Sequence, residues 1–243
     1  MYIMKKLFTT IIGLAASAMS FAQVSIGVEA GAAYGSMSQY INGANRNATG
    51  QVGYKAGVNV NIPLGSDSRF HIQPGVLYRG LQGSESSYYK QSATGSGAPT
   101  YESDFRKYVI NQVQVPVLFV YKSGDPEYDQ NHFFVGVGPS FSYNVGGRIH
   151  QIYKNALNGN ERTRDNNDPI AIGKGNYKDV APLNIDAALI LGYEFKSGFY
   201  TKAYGQYGLV NIHPMADSRN QFTTFEAGIS FGFFFKKFQK YKY

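Results

Sequence analysis

From position 52 to position 62 every second residue is apolar: Val52, Tyr54, Ala56, Val58, Val60 and Ile62. Gly53, Lys55, Gly57, Asn59 and Asn61 stand between them. Successive side chains of a strand point to opposite faces, so this segment has one apolar face and one polar face. The same alternation returns along the chain. Strands are expected at 24–34, 52–62, 69–79, in a segment ending at Tyr121, and at 133–143, 185–195, 199–211 and 225–235. Each is near the ~9–11 residues that cross a bilayer at a tilt.

The connections alternate in length. Residues 63–68, 123–131 and 196–198 make short turns, whereas 35–50, 80–107, 146–181 and 213–220 are mostly longer. Barrels of outer membranes are built this way, with short periplasmic turns and long external loops. An even strand number then leaves both termini in the periplasm. Residues 80–107 are rich in Gly and Ser and carry few large apolar side chains, so a mobile loop is expected there. Pro74, Pro116 and Pro139 fall inside strands. Proline removes a ladder hydrogen bond and a closed barrel has no edge to hold it, so local bulges are expected at these positions.

The first residues carry the marks of export. Lys5 and Lys6 form a charged start, residues 7–19 an apolar stretch, and Ser20-Phe21-Ala22 a small-x-small cleavage site. Cleavage between Ala22 and Gln23 divides the chain into a signal peptide, 1–22, and one barrel domain, 23–243. The apolar stretch is short for a membrane anchor, which needs ~20 residues. Loss of the two lysines takes the formal charge from +7 to +5. No dense Lys/Arg patch with interleaved aromatics accompanies that charge, so nucleic acid is not expected as a partner. The absence of Cys excludes disulfides, thiol catalysis, thiolate metal sites and a lipid anchor on cysteine. A mean hydropathy of -0.28 fits a barrel, because only half of each strand faces lipid.

Parity alone does not separate inside from outside. The polar face holds Glu29, Lys55, Gln73, Gln112, Gln114, Asp186, Glu194, Lys202, Gln206 and Glu226. A soluble barrel of the lipocalin kind would turn these outward and enclose the apolar face. The charges favour the opposite arrangement with a polar lumen, since the apolar face is larger than a soluble monomer exposes. Tyr34, Tyr78, Tyr121, Tyr143, Tyr193 and Phe235 fall near strand ends, where an aromatic girdle belongs. The fold expected is therefore all-β: an eight-stranded antiparallel up-and-down transmembrane barrel.

The candidate site is a polar network in the lumen: Glu29, Lys55, Asp186, Glu194, Lys202 and Glu226. Lys202 and Glu194 flank the turn at 196–198 with matching parity and are expected to face each other. Glu29, Lys55 and Glu226 lie on the first, second and eighth strands, which adjoin once the barrel closes. A gated lumen is one interpretation. A salt-bridge network that fills the interior of a small barrel and fixes its register is the one adopted. Four histidines are present, with His71 inward, His132 at a strand start, and His150 and His213 in loops. They form no compact His, Ser and carboxylate arrangement of the sort a lipid-modifying enzyme uses. Asp165-Asn166-Asn167-Asp168 lacks the ligand spacing of a calcium loop. No cofactor, metal or catalytic residue is expected. Residues 148–179 mix both signs of charge and suit an exposed surface that contacts partners.

Five segments carry a family resemblance: FHIQPGVLYRG from Phe70, VQVPVLFVYK from Val113, HFFVGVGPSFSYNVGG from His132, IDAALILGYEF from Ile185 and KAYGQYGLVNI from Lys202. In this order and spacing they resemble the PorT-like outer-membrane β-barrel family. The resemblance implies an eight-stranded barrel in a Gram-negative outer membrane, and the namesake is linked to protein secretion and gliding. Phe231, Phe233 and Phe235 suit the terminal signal that barrel-assembly machinery recognises, but residues 236–243, KKFQKYKY, follow. Either the last strand continues through them or they form a basic periplasmic tail. The expected role is structural or surface-interacting and non-catalytic, as a monomer. Its partners would be outer-membrane lipid, the assembly machinery during biogenesis, and a protein reached through the external loops. An accessory of a secretion or gliding machine, a lipid-modifying enzyme and a narrow channel are the alternatives.

Overall fold

The structure is a computed structural model and describes residues 24–41, 44–65, 69–91, 100–124, 131–157, 160–215 and 220–235. The expected signal peptide, its cleavage site at Ala22 and Gln23, and the tail at 236–243 lie outside the described residues. Nine strands are described: β1 (Ser25–Ile41), β2 (Ala44–Pro63), β3 (Phe70–Gln91), β4 (Thr100–Lys122), β5 (His132–Leu157), β6 (Asn160–Pro169), β7 (Leu183–Glu194), β8 (Phe199–Gly208) and β9 (Asn220–Phe234). Eight of them close a barrel. β1 to β5 pair in sequence order, β5 pairs with β7, β7 with β8, β8 with β9, and β9 returns to β1, all antiparallel. The ninth, β6, pairs with β5 alone, above the level at which β5 leaves β7.

Side-chain alternation now has a direction. Val52, Phe133 and Leu191 are 60% or more exposed, whereas Gln112, Gln114 and Ser140 are fully buried. The apolar face points outward and the polar face inward, so the lipocalin arrangement is excluded. Near the periplasmic end the outward rings touch in a belt. Phe70 stacks on Phe119 at 5.4 Å, Phe133 meets Tyr193 at 4.8 Å, and Tyr193 meets Phe195 at 4.9 Å. Such girdles sit at the headgroup level, where an amphipathic ring has both phases within reach.

Two expectations are corrected. Residues 80–91 and 100–107 are ladder, not a mobile loop, with Gly80 opposite Asn111 and Gln91 opposite Thr100. Likewise β5 continues to Leu157 and is joined by β6 in a region read as loop. The 26 residues of β5 extend about 85 Å along the strand, far more than the apolar band of about 25 Å requires. Above the membrane no lipid imposes apolar alternation. Backbone N–H and C=O groups still need partners, so the ladder outlives the sequence pattern.

The prolines are the second correction. The β3–β4 ladder passes from Pro74↔Val117 to Leu77↔Gln114, and β4–β5 from Pro116↔Ser140 to Phe119↔Val137, without a change of register. The β5–β7 ladder runs straight through Pro139↔Ala187. A proline deletes one donor, which interrupts a rung but adds no residue, so nothing forces a bulge. The register shifts lie instead at Gly35/Gln39, Gly50/Tyr54 and Asn111/Gln112. Close strand approach is met with glycine: a Cβ on Gly138 would overlap the carbonyl oxygen of Val117.

Candidate functional site

The lumen is organised in levels, each supplied by inward positions of several strands. At the periplasmic end Leu118, Val120, Phe134, Ile190, Tyr200 and Phe234 pack into an apolar floor. Beside it the Lys122 ammonium donates to Glu194 at 2.6 Å, with the lysine side chain 11% exposed toward the rim.

Above the floor Glu29 is a hub. Its Oε2 accepts from Lys202 Nζ at 2.6 Å, Asn59 Nδ2 at 2.8 Å and the Tyr200 hydroxyl at 3.1 Å. Lys55 Nζ stands 3.6 Å from Glu29 Oε1 and 3.0 Å from the centroid of the Tyr204 ring, a cation–π placement. Higher still, Arg79 is a second hub. Its guanidinium donates to Gln112 Oε1 at 2.5 Å, Asp186 Oδ2 at 2.9 Å, Ser142 Oγ at 3.3 Å, Glu226 Oε2 at 3.3 Å, and Gln206 Oε1. Asp186 Oδ1 also accepts from Asn184 Nδ2 and Thr224 Oγ1, and Gln112 donates to Asn144. The planar fork of arginine suits this task, because it satisfies acceptors on several strands at once.

A cap closes the external mouth. Residues 170–182 follow β6 and fold back over the lumen. Ile170 and Val180 insert among Met37, Leu81, Tyr108 and Ile110, with Ile149 and Ile172 at the margin. The fold-back is pinned by its backbone. Asp179 accepts from the Ala171 N–H at 2.7 Å and Gly173 donates to Val180 at 2.9 Å. Ala181 donates to Ile212 at 2.8 Å, which ties the cap to the segment after β8. The Asn144 side chain also donates to the Ala181 carbonyl at 2.6 Å.

The structure thus brings Glu29, Lys55 and Lys202 into one group and Asp186 and Glu226 into another. It does not pair Lys202 with Glu194. Lys202 lies opposite Gly192 on β7, while β9 presents only Ser230 and Gly232 at this level. The lysine therefore reaches over small residues to Glu29 on β1. Glu226 meets Arg79, not Lys55. Sequence reasoning missed Arg79 and Lys122 because both were read as strand ends. The inward parity of Gln73, Gly75, Leu77 and Arg79 was the available signal for Arg79. Among the described residues the ion-paired side chains of these levels balance: Lys55, Arg79, Lys122 and Lys202 against Glu29, Asp186, Glu194 and Glu226.

The histidines are engaged separately. His71 Nδ1 is 3.1 Å from Asn61 Nδ2, His132 Nδ1 is 2.6 Å from the Ser123 carbonyl, and His150 Nε2 is 2.6 Å from Asp165. Among the described residues no group of three or more His, Asp and Glu is placed to hold a metal ion.

No curated protein sequence matches the chain. Similar solved structures include Neisserial surface protein A, at 11% identity over 87% of this chain and 99% of that one, with a TM-score of 0.40. The outer membrane protein OprG of Pseudomonas aeruginosa is 14% identical over 88% of this chain and 97% of its own, with a TM-score of 0.38. The outer membrane enzyme PagL is 11% identical over 84% and 98%, with a TM-score of 0.38. The model of the outer membrane protein beta-barrel domain matches residues 18–214, most of the chain. With its closed eight-stranded barrel and outward apolar face, the chain belongs to that family and is an integral protein of the outer membrane.

Proposed function

We propose that this is a closed-lumen outer-membrane barrel with a surface-interaction role and no transport path through its wall. On this reading residues 1–22 are removed on export, and the barrel acts as a non-catalytic monomer through its external face. The observation that carries the reading is the filled lumen. A floor at Phe134 and Phe234, two ionic hubs at Glu29 and Arg79, and an apolar cap at Ile170 and Val180 follow one another along the axis. An interior of eight strands is only wide enough for side chains to fill. The charge there is balanced, as suits a structural network and not an ion-selective one. The part left to meet a partner is the sheet above the membrane, where β3, β4, β5 and β6 continue beyond the lipid.

Planar-bilayer recording of the purified full chain tests the closed lumen. Silence is expected, and steady unitary conductance would overturn it. The finer PorT-like placement, as an accessory of a secretion or gliding machine, rests on the five resembling segments. Crosslinking in intact cells followed by detergent pull-down tests it. Machine components should be recovered reproducibly, and their consistent absence would count against that placement.

A further inference from the structure

We propose that the free edge of β6 is a docking strand for an extended acidic segment of a partner protein, added antiparallel in the external space. This deepens the surface-interaction reading above and rests on it. β6 is ten residues long and, among the described residues, pairs with β5 on one side only, so its other edge offers an unfilled row of N–H and C=O groups. Residues 162–169 are exposed throughout. A strand added to such an edge gains main-chain hydrogen bonds, and its alternate side chains supply selectivity.

The charges around this edge select the occupant. Arg164 lies opposite Tyr153, and residues directly opposite share a face. That face includes Ile149, which packs against the cap cluster, so Arg162 and Arg164 face the mouth. The cap follows from the lower end of β6 and presents Lys174, Tyr177 and Lys178 to solvent. Tyr177 is 94% exposed on a segment otherwise held by backbone hydrogen bonds. Of the β6 carboxylates, Asp168 shares the parity of the two arginines, while Glu161 and Asp165 take the other, where Asp165 meets His150. Two arginines, two lysines and an exposed tyrosine against Asp168 leave the mouth face basic, with a preference for carboxylates.

The test uses the detergent-purified full chain and capped synthetic octapeptides, with binding read by microscale thermophoresis. An alternating Thr-Glu peptide should bind. Its Thr-Gln and Thr-Lys counterparts should bind at least about tenfold more weakly. N-methylation at alternate residues, in either of the two phases, keeps the charge but removes donors from one edge. One phase should abolish binding and the other should leave it. R162E/R164E should weaken the Thr-Glu peptide about tenfold or more while the heat-modifiable gel shift of the barrel is kept.

Equal binding of the Thr-Gln peptide, or indifference to N-methylation in both phases, would overturn the proposal. So would Tyr177-dependent binding of a sulfated oligosaccharide with none of the peptide, which would make the surface a glycan site. Crosslinks between two β6 strands in intact cells would put a second copy there instead. A silent lumen with no peptide binding leaves the closed-barrel reading standing and removes this inference alone.

Discussion

Replacing Arg79 by Met removes the group on which the upper hub converges. The arginine is 1% exposed, and it touches acceptors on β4, β5, β7, β8 and β9. The substitution leaves Glu226 and Asp186 buried without their cation. Asp186 retains Asn184 and Thr224 at 2.9 and 3.2 Å. Breaking a buried ion pair by removing one partner costs about 3–5 kcal/mol, because the uncompensated charge stays in low dielectric. With a urea slope of about 3 kcal/mol/M for a chain of this size, R79M should lower the unfolding midpoint by about 1–1.7 M. The assay is the loss of the fast-migrating folded band on unheated gels across a urea series in lipid vesicles. The triple variant R79M/D186N/E226Q discharges both carboxylates and should recover at least half of that loss. A midpoint for R79M within about 0.3 M of the parent would refute the hub. A triple variant no better than R79M would show that volume, not charge, holds the level together.

Other substitutions separate the remaining levels. K202M should lower the midpoint more than K55M in the same assay, because Lys202 makes the 2.6 Å bond to Glu29 while Lys55 stands at 3.6 Å. V180D places a charge in the apolar cap, where Val180 is fully buried. Trypsin should then cut faster after Lys174 and Lys178 while the urea midpoint of the barrel stays within about 0.5 M, as local opening allows; unchanged cleavage would mean the cap is held otherwise. G138A drives a Cβ into the Val117 carbonyl and should yield little folded band, whereas a normal band would show that β4 can yield there.

The transmembrane part was legible because lipid enforces a period of two on one face and lumen packing enforces it on the other. Val52 to Ile62 is the clearest case: parity put Lys55 on the polar face, the charges of that face pointed it inward, and its side chain is buried. What escaped the sequence was of two kinds. Strand length above the membrane was hidden, since 80–91 and 148–157 alternate in nothing while their backbones pair fully. Partner choice was hidden as well. Lys202 meets Glu29 because Ser230 and Gly232 leave room across β9, and no spacing within the β7–β8 hairpin encodes that. A small residue on the intervening strand decided the pair.

The one ladder that joins distant parts of the chain is β1 with β9; the other barrel ladders join strands that are neighbours or near neighbours in sequence. Loop-closure entropy makes that last joint the slow event of assembly. The ionic hubs straddle it. Glu29 is on β1 while Lys202 is on β8, and Arg79 on β3 draws in Glu226 on β9. An open sheet keeps Glu29 from Lys202 and Arg79 from Glu226, although Lys55 on the adjacent β2 still reaches Glu29. The pairs that cross the seam therefore reward closure and not hairpin formation, and a sheet whose first and last strands have not met lacks what they contribute.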